Sequence, residues 1–231
     1  MIEVRAARPE DTAEILALFR TCFGHERSAA EWHWKYALAP HGAASWVAVA
    51  DGALIAHYGG VRQECHAGGR PFVGYQGVDI MTHPDWRARV FARRGVLVRL
   101  AEAFFAAHPM DAYFGFPSQR HARLNRLLLG YEDHRPVGQL RQSVAQRDGV
   151  TGDGGAEPAE WDSLDAAALD RLWRTCRRRL ALSLEKGSRY LFWRYRDRPG
   201  HRYEVLSAGG WLGRLDGIAV LALAGEEVRL L

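Results

Sequence analysis

Cysteine is scarce in this chain of 231 residues, which has three: Cys22, Cys65 and Cys176. Their number is odd and no two of them stand close together in the sequence, which excludes a disulfide framework and a zinc-binding cysteine cluster. The simplest explanation is a reducing compartment. We therefore predict a cytoplasmic protein.

Long apolar runs are also missing. Each apolar stretch is broken by Arg, Gly or Glu before it reaches the roughly 18 residues that a membrane-spanning helix needs. The first residues, Met1 to Arg5, include an acid and lack the apolar segment of a secretory signal. We expect no membrane association.

Lysine is nearly absent, since Lys35 and Lys186 are the only two among 31 Lys and Arg residues. The formal net charge of +4 is only mildly basic. Nucleic-acid binding requires a longer basic stripe with interleaved aromatic residues, so we predict no nucleic-acid partner. A small anion site is indicated instead by four arginines within eight residues: Arg87, Arg89, Arg93 and Arg94.

The composition is that of a folded protein. Hydrophobic residues make up 48% and charged residues 25% of the chain, and the mean hydropathy is −0.26. These values exclude a disordered or a collagen-like chain. The length fits one large domain or two small ones.

Hydrophobic periodicity predicts the order of the first elements. In chain order they are a strand at Ile2–Ala6, a helix from Pro9 to Gly24, a helix over Ala29–Leu38, strands at Trp46–Val49, Leu54–Tyr58, Val61–Ala67 and Pro71–Thr82, a helix over Phe91–His108, a strand at Asp111–Phe116, a helix over Arg120–Leu129, and a strand pair within Tyr131–Val144. A strand–long helix–strand unit inside an antiparallel run predicts an α/β (α+β) fold. Its sheet is mixed, mostly antiparallel and flanked by helices.

Residues Gln146–Pro158 are rich in Gly and Asp and lack apolar periodicity, which indicates a linker between two domains, 1–145 and 159–231. An ordered loop within one domain is the alternative. After this segment the chain repeats itself. Leu18–Cys22 (LFRTC) recurs as Leu172–Cys176 (LWRTC), and Trp34-Lys35-Tyr36 recurs as Trp193-Arg194-Tyr195. Repetition in the same order predicts a partial second copy of the first unit.

The predicted element order resembles the fold of the GNAT N-acetyltransferase superfamily. Three segments carry the resemblance: the opening Val4–Asp11, the strand end and turn Asp79–Arg87, and Leu129-Gly130-Tyr131 after a helix. The resemblance covers about residues 1–145. The C-terminal copy is then a truncated second GNAT half, without the segment that carries chemistry and therefore non-catalytic.

The resemblance implies an acyl-CoA co-substrate, such as acetyl-CoA, and no metal. In the family a strand end and a glycine-containing loop bind the donor, because backbone N–H groups at a helix start attract a diphosphate. The positions that match are Ile80, Met81, Thr82, Arg87, Ala88, Arg89, Val90, Phe91 and Ser118. The family's loop glycines are Ala88 and Val90 here, and Arg126 replaces the family's acid tyrosine.

A base near the amine must remove its proton. The candidates are Asp79 first, then Glu64 and His83. The function predicted is transfer of an acetyl or other acyl group to a small amine or amino sugar.

Two alternatives stay open: a degenerate GNAT-like protein that binds a ligand or partner without turnover, and a transferase that uses an aminoacyl-tRNA donor. An apparent strand that reaches Leu231 leads us to expect a homodimer.

Overall fold

The structure is a computed structural model that describes residues 1–89, 95–132, 155–209, 214–224 and 227–231. The strands are β1 (Ile2–Ala6), β2 (Ala43–Ala50), β3 (Ala53–Ala67), β4 (Arg70–Thr82), β5 (Ala112–Phe114), β6 (Ala156–Ala159), β7 (Leu182–Leu184), β8 (Tyr203–Gly209), β9 (Leu215–Ala224) and β10 (Glu227–Leu230). The α-helices are α1 (Thr12–Phe23), α2 (Ala29–Tyr36), α3 (Val96–Ala107), α4 (Gln119–Leu129), α5 (Ala166–Arg177) and α6 (Ser188–Leu191), and α6 continues into a π-helical turn at Phe192–Arg196. We call residues 1–132 the N-terminal unit and residues 155–231 the C-terminal unit.

The first sheet has the strand order β1-β2-β3-β4-β5. Its neighbours are antiparallel except β4 and β5, which run parallel. The long helix α3 connects these two strands, because a parallel pair needs a crossover. The expected mixed and mostly antiparallel sheet is confirmed.

Two apolar layers cover the two faces of this sheet. On one face, Ile15 and Phe19 of α1 pack with Trp32 of α2 against Val47 and Met81. Glycine at position 24 ends α1 with a φ of 76°, and Ser28 Oγ caps α2 by accepting from Glu31 N at 3.0 Å. Local sequence signals therefore determine where α1 ends and where α2 begins on this face of the sheet.

The other face is covered by α3. Its residues Val96, Leu97, Leu100, Ala101 and Phe104 are all buried against Ala48, Ala56 and Tyr58 of the sheet. Because strand side chains alternate between faces, Val47 and Ala48 serve different cores.

The second sheet has the order β6-β8-β9-β10, with all neighbours antiparallel. It repeats the order β1-β2-β3-β4, and the helices α5 and α6 follow β6 as α1 and α2 follow β1. This arrangement is consistent with the partial repeat predicted from the sequence. One strand of the C-terminal unit, β7, joins the first sheet and pairs with β3 at Cys65–Ala67.

Several boundaries differ from the predictions. The two strands predicted at Leu54–Tyr58 and Val61–Ala67 are one strand, β3, because Gly59 and Gly60 continue the pairing. Strand β6 occupies the last residues of the predicted linker, whose residues 146–154 lie outside the described part of the chain. The strands predicted after residue 132 also lie outside it. No helix within the described residues is long and apolar enough to span a membrane.

Candidate active site

A bulge interrupts β4 near its end. Met81 lies opposite His57 and Val78 lies opposite Gly59, so Asp79 and Ile80 together face Tyr58. Asp79 has a φ of 50°, which is the left-handed region that non-glycine residues seldom adopt. Such a bulge bends the strand and redirects its side chains.

Beyond the bulge β4 parts from β5. The two strands pair only over Gly74–Gln76 and Ala112–Phe114, whereas β4 continues to Thr82. The main-chain N–H of His83 donates to the carbonyl of Ile55 on β3 at 2.8 Å. Because main-chain groups alternate in direction along a strand, the N–H of Thr82 faces away from β3 into the opening between β4 and β5.

The side chain of Asp79 lies in a buried polar network on the face covered by α1 and α2. Arg27 Nη1 lies 2.5 Å from one carboxylate oxygen, and Lys35 Nζ and Tyr36 Oη lie 3.1 and 3.0 Å from the other. The side chain of Asp79 is only 6% exposed. Two cations and one phenol therefore hold this carboxylate in a fixed position.

The charges of this network follow from burial and proximity. Burial raises the pKa of Asp79, but the nearby Lys35 and Arg27 outweigh that effect and the net pKa is lowered. Burial lowers the pKa of Lys35, an effect that the charge of Asp79 offsets only in part. Burial also raises the pKa of Tyr36. Asp79 is thus ionised, Tyr36 is protonated, and the network has more positive than negative charge.

The side chain of His57 holds the main chain of the bulge in place through a hydrogen bond. Its Nδ1 donates to the carbonyl of Asp79 at 2.7 Å, and its Nε2 lies 2.6 Å from Ser45 Oγ. Burial lowers the pKa of His57, so the ring is neutral and Nε2 accepts from the hydroxyl. The ring thereby orients the main chain that carries Asp79.

Three phenols lie on the opposite side of the sheet. Tyr58 and Tyr131 share a hydrogen bond of 2.8 Å between their hydroxyls. The ring of Tyr113 stacks on that of Tyr58 and lies tilted against that of Tyr131. Tyr131 belongs to the Leu-Gly-Tyr segment that follows α4. Burial raises the pKa of all three phenols, so they are protonated at neutral pH.

The segment predicted to bind the donor begins directly after β4. Residues Pro84–Arg89, which include Ala88, form a 3-10 turn. Arg87 Nε donates to the carbonyl of Thr82 at 3.0 Å, and Cys22 Sγ lies 3.3 Å from the same oxygen. Val90 and Phe91 lie outside the described residues. Ser118 is the N-cap residue of α4.

The three predicted base candidates do not come together. His83 follows the end of β4 and its side chain is 35% exposed, with Nδ1 3.6 Å from Asp85. Glu64 lies opposite Val73, six residues before Asp79 along β4, which corresponds to roughly 20 Å. The carboxylate of Glu64 lies 3.2 Å from Nδ1 of His41 instead. Asp79 and His83 thus belong to the same end of β4, and Glu64 lies beside the other end.

Sequence reasoning missed the partners of Asp79. Arg27, Lys35, Tyr36 and His57 come from α2, β3 and the segment before α2, and they meet only in the fold. One signal was present: Lys35 is one of two lysines in a chain that otherwise uses arginine.

The model of the acetyltransferase (GNAT) domain family matches residues 3–141. A structure described as a probable N-acyltransferase from Enterococcus faecalis is 14% identical with a TM-score of 0.71, and the match covers 99% of this chain and 56% of that one. The chain therefore spans about half the length of that protein.

Two smaller structures match as well. A predicted acetyltransferase with acetyl-CoA from Clostridium acetobutylicum is 16% identical with a TM-score of 0.48, and the match covers 61% of this chain and 96% of that one. An aminoglycoside 6'-N-acetyltransferase from Acinetobacter baumannii is 14% identical with a TM-score of 0.46, and the match covers 63% of this chain and 100% of that one.

No protein of curated function matches the chain. The family match covers more than half of the residues and includes the bulged β4 with its opening toward β5. The chain belongs to the GNAT acetyltransferase family.

Proposed function

We propose that the protein is an acyl-CoA-dependent N-acyltransferase that moves an acetyl or other acyl group to a small amine or amino sugar. One observation carries this proposal. The bulged end of β4 extends beyond its pairing with β5, so that the two strands part beside a buried network of charged side chains. The family match to an acetyltransferase domain supports it.

The opening between β4 and β5 fits an extended donor arm. An acyl-CoA carries two amide groups in an extended chain, which can pair with a strand as a peptide does. Ile80, Met81 and Thr82 would hold this arm along β4. The turn that contains Arg87, Ala88 and Arg89, with Val90, Phe91 and Ser118, would hold the remainder.

When bound, an acyl-CoA supplies a thioester carbonyl that an amine can attack. The main-chain N–H of Thr82 faces the opening, where a donor to the carbonyl oxygen stabilises the negative charge that develops there. A C–N bond forms, the C–S bond breaks and the sulfur leaves as a thiolate. The attacking amine must lose one proton.

Within this proposal Asp79 acts as a positioning residue. Its carboxylate is occupied by Arg27, Lys35 and Tyr36, and its lowered pKa makes it a weak base. His83 lies at the same end of β4 and is partly exposed. We assign the proton transfer to His83, directly or through one water. Glu64 lies too far along the sheet to take part directly.

The charges near the bulge bear on the acceptor. Arg27 and Lys35 together outnumber Asp79, and their side chains are 18% and 17% exposed. An amine that also carries a carboxylate or phosphate gains attraction here, whereas a polycationic amine is repelled. We therefore place amines with an anionic group, amino sugar phosphates among them, first among the acceptors.

Calorimetric titration of acetyl-CoA and of CoA into the full chain tests the donor site. We expect a Kd in roughly the micromolar range. Arg87→Ala should weaken it by about tenfold, because a charge-assisted hydrogen bond is lost. Arg20→Ala is the matched control, since Arg20 lies on α1 with a 65% exposed side chain. Absence of binding up to millimolar concentration would overturn the acyl-CoA proposal and favour the non-catalytic alternative.

Thiol release from acetyl-CoA tests turnover. Amino acids, amino sugar phosphates, neutral amines and aminoglycosides form the acceptor panel. Faster release with the anionic amines is expected. His83→Ala should lower kcat by about a hundredfold or more if His83 is the base, and a value unchanged within a factor of two would remove it from that role.

A further inference from the structure

A cleft lies between the two units, away from the opening of β4. Its volume is about 460 Å³, which is the size of a small-molecule site. The C-terminal unit supplies most of the lining from α5 and the start of α6, and His41 of the N-terminal unit completes it. His41 also contacts Glu64, which places the cleft at the end of the first sheet that is remote from Asp79.

Positive charge dominates the lining. Four arginines contribute to it, against two acids, Asp170 and Glu185. The arginines are Arg171, Arg174 and Arg177 of α5 and Arg189 of α6. Both acids already have partners inside the protein. Asp170 accepts from the main-chain N–H of Ser188 at 2.7 Å, and Glu185 accepts from Arg177 at 3.0 Å.

Within the described residues, three guanidinium groups of the lining have either a weak acidic partner or none. Arg171 is 3.5 Å from Asp165, and both side chains are more than half exposed, so the pair is weak. Arg174 donates to the main-chain carbonyl of Asp170 at 3.3 Å. Within the described part of the chain neither Arg174 nor Arg189 forms an ion pair with a carboxylate.

The spacing of these arginines has an energetic cost. Arg171, Arg174 and Arg177 follow one another at intervals of three residues, so they are neighbours on the surface of α5. Like charges at this spacing repel one another and destabilise the helix. An anion between them removes the repulsion and accepts several charge-assisted hydrogen bonds.

We propose that this cleft binds a compact polyanion, a small molecule with at least two negative charges on phosphate or carboxylate groups. Guanidinium groups bind both kinds of oxyanion in a bidentate manner. The volume limits the ligand to a small molecule. Because α5, α6 and His41 all line the cleft, the bound ligand also links the two units.

Titration of sodium pyrophosphate into the full chain by calorimetry tests the site, and citrate is the second probe. We expect saturable binding with one site. The double variant Arg174→Ala, Arg189→Ala should weaken it by at least about tenfold, since two donors of charge-assisted hydrogen bonds to the anion are removed. Tighter pyrophosphate identifies a phosphate site, and tighter citrate identifies a carboxylate site.

The double variant Arg178→Ala, Arg179→Ala is the matched control, because it removes the same charge from exposed positions directly after α5 that do not line the cleft. An equal loss in both double variants would show non-specific attraction and overturn the proposal, as would non-saturable binding to the parent chain. Acetyl-CoA should bind the Arg174, Arg189 variant as it binds the parent chain. A failure of polyanion binding can thus be distinguished from a failure of the proposed acyltransferase activity.

Discussion

Trp34 and Trp193 each donate their indole N–H to the main-chain carbonyl of the other. The two distances are 2.7 and 3.0 Å, and the rings stack with centroids 4.8 Å apart at an angle of 15°. The two residues occupy the same place in the repeated Trp-Lys-Tyr and Trp-Arg-Tyr segments. The contact between the units is therefore reciprocal, as in a dimer with two-fold symmetry.

Trp193→Ala should lower the free energy of unfolding by about 3–5 kcal/mol, because a large buried ring is lost together with its indole hydrogen bond to the carbonyl of Trp34. Trp193→Phe keeps an aromatic ring but leaves the carbonyl of Trp34 unpaired, so we expect a smaller loss of about 1–3 kcal/mol. Urea unfolding measures both. A loss below about 1 kcal/mol for Trp193→Ala would mean that this contact does not hold the units together.

Gly77→Ala should destabilise the N-terminal unit. A Cβ at position 77 would overlap the hydroxyl of Tyr113, and such overpacking costs about 1–3 kcal/mol. Gly217→Ala is the control, since a Cβ there lies 3.8 Å from Ala208 in ordinary contact. Thermal unfolding compares the two. Equal melting temperatures would contradict the close approach of Tyr113 to β4.

Asp11→Asn should make stability less dependent on pH. Asp11 binds Arg5 through two hydrogen bonds of 2.6 and 2.9 Å, and this contact lowers the pKa of Asp11 to about 2. A lowered pKa contributes stability above the unfolded pKa of roughly 4, and that contribution is lost as the pH falls toward 2.

At pH 7 we expect Asp11→Asn to cost about 2 kcal/mol, and the difference from the parent chain should narrow below pH of roughly 4. Denaturant unfolding at several pH values measures it. Glu3→Gln is the control, because Glu3 is 64% exposed and lies 3.7 Å from Arg5. A difference that is constant with pH would contradict the assigned ion pair.

Asp79→Asn should cost about 3–5 kcal/mol, since it leaves Arg27 and Lys35 as buried cations without their anion. Burial already lowers the pKa of Lys35, so the loss should shrink at alkaline pH as Lys35 releases its proton. Adding Lys35→Met should restore part of the stability. Asp85→Asn, at an 83% exposed position, is expected to change little.

The parts of the fold that could be predicted are those with a regular apolar period. Ile15, Leu18 and Phe19 repeat at helical spacing because one face of α1 is buried, and the structure confirms that helix. The strand break predicted near Gly59 and Gly60 was wrong. Glycine is a weak strand former, so the sequence indicated a break. Glycine is required at these two positions by tertiary packing, because Tyr36 and Phe104 occupy the space that a side chain would need.

The candidate active site could be predicted from the sequence only at one strand. The resemblance marked the end of β4, because its signature is a continuous segment. The partners of Asp79 gave no such signal, since Arg27 is 52 residues away in the sequence. The cleft between the units could likewise not be predicted from the sequence, because its arginines belong to the C-terminal unit and its histidine to the N-terminal one.

Strand β7 makes the pairing of β3 dependent on residues that lie more than a hundred positions later in the chain. The main-chain N–H of Gly68, at the end of β3, donates to the carbonyl of Ala181 at 2.9 Å. The amide of Gly68 therefore exchanges its hydrogen with solvent only after this hydrogen bond to Ala181 has opened. Its exchange rate reports how often this contact between the two units opens.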